Sequence, residues 1–168
     1  MTDFKPINPQ IIKLGSQDVN EALGALSSLK SQGEQIIPTL IEQLHSNNAS
    51  IRTMIIVVLG EFGQKASDSA EQIVPLLLED NEQLRMATAL TLTRIGAKSI
   101  APLQEILYSN NQKARFWGVW AMSFLAADQI SIQNIEFLKQ YKEYLDSPIE
   151  AFAAEEAIAK IFAKKIQP

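Results

Sequence analysis

The feature that most constrains this 168-residue chain is an internal repeat of about 30 to 35 residues. Three stretches align on an apolar residue followed by arginine: IRTMIIVVLGEFG (51–63), LRMATALTLTRIG (84–96) and ARFWGVWAMSFLA (114–126). In each stretch, apolar residues recur seven and ten positions after the arginine, and a glycine or alanine follows at position eleven. Because one helical hairpin cannot bury both of its faces, a repeat of this length favours a stack of hairpins.

The same frame extends more weakly toward both ends of the chain, where Ala22 and Glu150 occupy the arginine slot. The intervening segments have helical periodicity, and none alternates with period two for long enough to indicate a strand. The sequence therefore predicts an all-α fold, a right-handed α-solenoid of about four to five helical hairpins. We expect this repeat domain to cover residues 18–168, after an N-terminal segment over residues 1–17.

Turn residues agree with this division. Gly33, Gly63 and Gly96 each follow a helical pattern, which predicts a left-handed C-cap at each position. The string SPIE at 147–150 predicts the start of a helix, because serine caps free N–H groups and proline suits the first helical position. Pro75 lies too late in its segment to open a helix, so we expect it to kink one.

Composition limits the classes of function. The chain has 15 Lys and Arg residues against 19 Asp and Glu residues, a net charge of -4 that disfavours nucleic acid as a ligand. The absence of cysteine excludes disulfides and cysteine-based nucleophiles or metal sites. The most apolar run, at 54–60, is too short for a membrane span, and the N-terminus lacks the apolar region of a signal peptide. These observations predict a soluble, cytoplasmic protein.

The sequence offers little for catalysis. His45 is the single histidine, so no histidine pair can bind a metal, and no neighbouring motif identifies it as a general base. Adjacent acids such as Glu79 and Asp80 point about 100° apart on a helix and do not form a facing pair. We predict that the protein is not an enzyme and has no catalytic residue, metal site or cofactor.

The strings at 51–63 and 84–96, each preceded by a helical segment, resemble HEAT repeats, especially the short form of the phycobilisome-lyase-like group. The resemblance covers roughly residues 18–163, and its best matches are Pro38, Arg52, Leu59, Gly60 and Gly63. It implies a solenoid fold. It also permits an alternative function as a bilin lyase or a chaperone-like factor acting on phycobiliproteins, although no particular residue indicates that activity.

Arg52, Arg85 and Arg115 recur in register, and two interpretations apply to them. A row of cations is suited to an acidic partner. In HEAT proteins, however, the arginine at this position commonly bonds within the array, and the resemblance therefore implies a structural role. We favour the structural interpretation.

The second helix of each repeat has an unusual row of apolar residues. Positions one, five and nine after the arginine slot lie on one side of a helix, away from the expected core positions. HEAT-like repeats usually carry polar residues there. In this chain the three rows are Thr53, Val57 and Glu61, then Met86, Leu90 and Arg94, then Phe116, Trp120 and Phe124.

Two interpretations of this row remain open. Another part of the chain, such as the N-terminal segment or the irregular fourth repeat, covers it and makes it core. Alternatively it is an exposed groove on the concave face of the solenoid, as expected for an interaction site.

The leading hypothesis is a non-catalytic scaffold or adaptor that grips a helical or apolar segment of another protein, with a homodimer included among the partners. Its candidate binding residues are Met86, Leu90, Phe116, Trp120 and Phe124, with Glu61 and Arg94 at the rim. DNA binding through a concave helical face ranks last because the chain is acidic.

Overall fold

The computed structural model describes residues 7–166, and within this range it contains α-helices and short 3-10 segments without any strand. The α-helices are α1 (Pro9–Lys13), α2 (Val19–Ser31), α3 (Ile37–Glu42), α4 (Ala49–Phe62), α5 (Ala70–Ile73), α6 (Glu82–Ile95), α7 (Ile100–Ile106), α8 (Gln112–Leu125), α9 (Ile132–Lys142) and α10 (Pro148–Ile166). The 3-10 segments are Glu34–Ile36, Gln43–His45, Gly63–Ser69, Val74–Leu78, Ala97–Ser99 and Ala127–Gln129. None of the helices in this range is long and apolar enough to cross a membrane.

The helices form five consecutive hairpins, α1/α2 to α9/α10, and so confirm the predicted α-solenoid. The second helices of the hairpins lie side by side, because α4 packs against α2 and α6, and α8 packs against α6 and α10. The first helices and their 3-10 segments form the other layer. The apolar residues seven positions after the arginine slot, Leu59, Leu92 and Met122, are fully buried.

Asparagine caps start the three central second helices, each of which is 14 residues long. The side chains of Asn48, Asn81 and Asn111 accept hydrogen bonds from the N–H groups three residues later, at 3.1, 2.9 and 3.1 Å. These bonds satisfy donors that an unfinished helical turn leaves free. Each asparagine lies four residues before the arginine slot, which is a repeat signal that the sequence analysis missed.

Glycine ends α4 and α6. Gly63 and Gly96 have φ of 55° and 90°, as predicted, but their ψ values of -130° and -146° lie outside the left-handed helical region. This part of backbone space is essentially restricted to glycine. The requirement for glycine is therefore stronger at these positions than at an ordinary left-handed cap.

The first helices are less regular than the second helices. In the third hairpin, α5 ends at Ile73 and the 3-10 segment Val74–Leu78 continues it. Pro75 cannot donate a helical hydrogen bond to the carbonyl of Glu71, so the predicted break in the helix occurs here. At Pro148, by contrast, α10 begins as predicted, with the N–H of Glu150 donating to the Ser147 hydroxyl at 3.4 Å.

Residues 9–14 pack against the rest of the array, since Ile11 and Leu14 are both buried in its core. Helix α1 contacts α2 and α4. The boundary between an N-terminal segment and a repeat domain at residues 17 and 18 remains a prediction. Residues 1–6 of that segment lie outside the described range.

Two second helices approach each other closely where Gly60 of α4 meets Thr91 of α6. A Cβ atom at position 60 would lie 2.7 Å from the Thr91 hydroxyl oxygen. That hydroxyl donates a 2.9 Å hydrogen bond to the carbonyl oxygen of Ile56, within the interface. A larger residue at position 60 would therefore displace both the helix and a buried hydrogen bond.

We predict opposite effects of alanine at two helical glycines. Gly60→Ala should lower the free energy of unfolding by about 1–3 kcal/mol, because the new methyl group overpacks the α4/α6 interface. Gly24→Ala, at an open position on α2, should raise it by about 0.4–1 kcal/mol through reduced entropy of the unfolded chain. Urea unfolding of both variants measures these changes. Equal behaviour of the two variants would contradict the close packing described for Gly60.

Candidate protein-binding site

The arginine-slot residues are engaged within the array. Arg85 is buried, and its guanidinium donates to the carbonyl oxygens of Leu77 at 3.2 Å and Glu79 at 2.8 Å. Arg52 forms an ion pair with the carboxylate of Glu79. Each arginine thus connects a second helix to the end of a first helix. Arg85 contacts the first helix of its own hairpin, and Arg52 contacts the first helix of the next hairpin.

Arg115 makes a different set of contacts. Its Nε donates to the Asn134 side-chain oxygen at 3.0 Å, and its guanidinium carbon lies 4.1 Å from the centre of the Phe137 ring. Burial lowers the pKa of Arg115. The structural interpretation of all three arginines is therefore confirmed, and they do not form a free row of cations.

The second-helix face is the solvent-facing side of α2, α4, α6, α8 and α10. A polar ladder crosses its first three helices: Glu61 accepts from Lys30 at 2.9 Å through one oxygen and from Arg94 at 2.8 Å through the other. Because one carboxylate reaches both neighbours, the C-terminal ends of these helices face the same side. Glu61 and Arg94 are thus exposed and bonded to each other on this face, and their role at the rim of a binding site remains a prediction.

The two cations also set the ionisation of Glu61. The hydrogen bond and charge of Lys30, followed by those of Arg94, hold the pKa of Glu61 below its usual value. A carboxyl group with a lowered folded-state pKa stabilises the fold above its unfolded-state pKa, and that contribution disappears as the pH falls through the folded-state value. The ladder is therefore complete at neutral pH.

Apolar side chains lie on the same face beside the ladder. Leu90 is 44% exposed and Phe124 is 40% exposed, while Met86 is half-buried against the core. The ammonium group of Lys160 lies 4.1 Å from the centre of the Phe124 ring, so an aromatic side chain and a cation continue the row onto α8 and α10. The face thus combines exposed apolar groups with a mostly cationic edge.

Two residues of the predicted site are core residues. Phe116 is 0% exposed and Trp120 is 6% exposed, so the expectation of an exposed aromatic groove is wrong for both. The last hairpin covers them: the Phe116 and Tyr141 rings lie 5.3 Å apart, and the indole N–H of Trp120 donates to Glu156 at 3.2 Å. The alternative is correct: the irregular repeat that follows the three aligned stretches, which forms the fifth hairpin, covers this part of the row.

A separate cleft of about 560 Å³ lies between the first helices of two successive hairpins. Ile41, Pro75 and Leu76 line it, and the Arg52–Glu79 ion pair is part of its wall. His45 is exposed at this cleft. Across residues 7–166 no group of three or more histidine or acidic side chains is arranged to hold a metal ion.

Comparison with known families agrees with this architecture. A family model described as HEAT repeats matches residues 37–123, which include α3 to α8 except for the last two residues of α8. The chain belongs to the HEAT-repeat family. HEAT repeats generally serve as scaffolds for protein interactions and are generally not enzymes.

The individual proteins that are similar to this HEAT chain include one sequence relative and one solved structure. An uncharacterized protein of Bacillus subtilis (strain 168), SkfG, is 34% identical over 143 residues, which is 85% of this chain and 83% of SkfG. The crystal structure of an engineered protein from the Northeast Structural Genomics Consortium superposes with a TM-score of 0.52, at 14% identity, over 92% of this chain and 78% of that one. The structural likeness shows the fold alone.

Buried Trp120 and exposed Phe124 provide a direct test of how the last hairpin covers the row. We predict that Trp120→Glu lowers the free energy of unfolding by at least about 3 kcal/mol, because it replaces a packed ring with a buried charge facing Glu156. Phe124→Glu, one turn further along α8, should change it by less than about 1 kcal/mol, since the new carboxylate stays in water near Lys160. Thermal or urea unfolding measures both. A Trp120→Glu variant with wild-type stability would show that the ring is not covered.

Proposed function

We propose that this protein is a non-catalytic scaffold that binds an amphipathic helical segment of another protein on its second-helix face. The observation that carries the proposal is the position of Leu90 and Phe124, both substantially exposed, beside the row of charged side chains. Apolar side chains on a rigid layer of helices can receive the apolar stripe of a partner helix. The proposal keeps Met86, Leu90, Arg94, Phe124 and Glu61 from the predicted site and leaves out Phe116 and Trp120.

The size of the apolar surface supports this binding mode. Met54 and Val57 of α4 are half-buried and pack on the core with one side, as Met86 does on α6. Leu23 of α2 is also exposed, and with Val19 and Met54 it lines a shallow pocket of about 350 Å³ at the edge of the face. Methionine side chains adapt their shape readily, which suits the binding of a helix.

The charge along the edge defines the partner further. Lys30, Arg94 and Lys160 contribute three cations to the row, whereas Glu61 and Glu156 contribute two anions, of which Glu61 is already bonded to two of those cations and Glu156 accepts from Trp120. The local excess of positive charge contrasts with the net charge of -4 for the whole chain. A partner helix with acidic residues along one side of its apolar stripe would therefore have the complementary charge.

The bilin-related alternative and the phycobilisome-lyase-like subtype remain predictions from the sequence. No contact among the described residues supports either prediction specifically.

Two labelled peptide helices with the same leucine and phenylalanine stripe, one flanked by glutamate and the other by lysine, would test the proposal. We expect the acidic peptide to bind more tightly, with an affinity that falls as salt is added. Leu90→Glu should weaken its binding at least about tenfold, because the new carboxylate would repel the peptide and would lose water on binding. Fluorescence anisotropy measures both effects.

Leu78→Glu is the matched control, because Leu78 is 46% exposed but belongs to the first-helix layer. We expect this variant to bind the acidic peptide as the wild type does. Absence of binding by the wild type, equal binding of the two peptides, or equal losses in the two leucine variants would contradict the proposed face.

A further inference from the structure

The cleft between the first helices of the second and third hairpins contains polar groups that the chain leaves without partners. It has a volume of about 560 Å³, and Arg52 and Glu79 are part of its wall. Arg52 donates to Glu79 through Nη1, while its buried Nε has no hydrogen-bond partner within residues 7–166. Because buried donors in folded proteins are almost always bonded, an unbonded one indicates an acceptor that the chain itself does not supply.

The other two arginines of the register show what Arg52 lacks. The Nε of Arg85 donates to the carbonyl oxygen of Leu77, and the Nε of Arg115 donates to an amide oxygen on α9. Leu44 holds the equivalent position eight residues before Arg52, but its carbonyl oxygen receives no hydrogen bond from that side chain. Arg52 therefore keeps donors for a ligand, whereas the corresponding Nε of each other arginine is occupied.

The ion pair in the cleft wall is neutral as a whole and is partly accessible. The Arg52 side chain is 17% exposed, and the Glu79 side chain is 34% exposed. One carboxylate oxygen of Glu79 accepts from Arg52, and the other takes no hydrogen bond from the described part of the chain. A free donor and a free acceptor in one ion pair match the C=O and N–H groups of an amide. A ligand carboxylate would be attracted by Arg52 but repelled by Glu79.

Another part of the cleft wall is apolar. Ile41 is half-buried, Leu76 is buried, and Pro75 lies between the two first helices where the helical hydrogen bonding breaks. The volume of the cleft falls in the range of small-ligand pockets, about 300–1,000 Å³. Such a wall can receive an apolar side chain while the ion pair binds the amide group of the same ligand.

We propose that this cleft binds an extended peptide segment through a backbone amide and an apolar side chain. The peptide carbonyl oxygen accepts from the unpaired donors of the Arg52 guanidinium, and a peptide N–H donates to the free oxygen of Glu79. The apolar side chain packs against Ile41 and Leu76. The cleft lies in the first-helix layer, so this site is separate from the second-helix face and does not depend on the function proposed for that face.

Two small probes test the chemistry of the site: neutral N-acetyl-leucine N-methylamide, and N-acetyl-leucine, which carries a carboxylate. In NMR titrations of the full chain, the neutral probe should bind at least about threefold more tightly, because Glu79 repels the carboxylate. It should shift the side-chain Nε–H signal of Arg52 and leave that of Arg85, which is already bonded to Leu77, unchanged. Absence of saturable binding, tighter binding of the carboxylate, or equal shifts at the two arginines would overturn the proposal.

Glu79→Gln tests the part played by the ion pair. Loss of the carboxylate leaves Arg52 without its counter-charge, so this variant should bind N-acetyl-leucine more tightly than the neutral probe. The backbone carbonyl of Glu79, which bonds to Arg85, is retained. An ion pair that only supported the fold would not reverse the order of the two probes, and an unchanged order would reject the proposed contacts.

Gln72→Trp tests the location of the site without altering the ion pair. Gln72 is exposed and lines the cleft, so the indole ring should fill part of the cleft and weaken binding of the neutral probe at least about tenfold. The melting temperature should stay unchanged, because the substitution is on the surface. Gln133→Trp, at an exposed position of α9, is the matched control and should bind as the wild type does. Equal binding by the two tryptophan variants would show that the probe lies elsewhere.

Discussion

The rest of the structure depends on the close packing of α4 against α6. Gly60 allows the two helices to approach, and the Thr91 hydroxyl bonds across the interface to the Ile56 carbonyl. This contact fixes how far apart α4 and α6 lie. That spacing lets one carboxylate oxygen of Glu61, next to Gly60, accept from Arg94 on α6, while the other oxygen accepts from Lys30 on α2. The bond between Glu61 and Arg94 on the charged edge therefore depends on a contact between the backbone of α4 and the Thr91 side chain.

The recurring arginine acts where a first helix ends and its last carbonyl groups lack helical partners. Glu79 shows how one such end joins neighbouring hairpins, because its carbonyl accepts from Arg85 while its carboxylate pairs with Arg52. Arginine suits this position, since its planar group offers several donors in fixed directions. Arg115 instead contacts α9. Its partners there are the amide oxygen of Asn134 and the ring of Phe137, in place of the backbone carbonyls that bind Arg85 and the carboxylate that binds Arg52.

The sequence predicted the parts of this fold that repeat. Arginine, the buried leucines and the terminal glycines located α4 and α6, and helical periodicity correctly placed Glu61, Leu90 and Arg94 toward solvent. The same periodicity assigned Phe116 and Trp120 to that row. Helical periodicity predicts which side of a helix a side chain is on, but it does not predict whether another helix covers that side. Helix α10, 19 residues long, packs along α8 and covers them. Trp117, next to this row, is also buried, beside Phe116 and Trp120.

Helices α2 and α10, the first and last second helices of the described array, are held in place by different contacts. Because the stability of a solenoid is approximately a sum of repeat and nearest-neighbour terms, an end helix must be held by one interface. Helix α2 has the additional support of α1. Helix α10 is held through its inner side, where three buried alanines permit close contact with α8 and α9, and through the bond of Glu156 to Trp120. Phe152 and Ile166 take no part in those contacts, so the packing of α10 does not account for their apolar character.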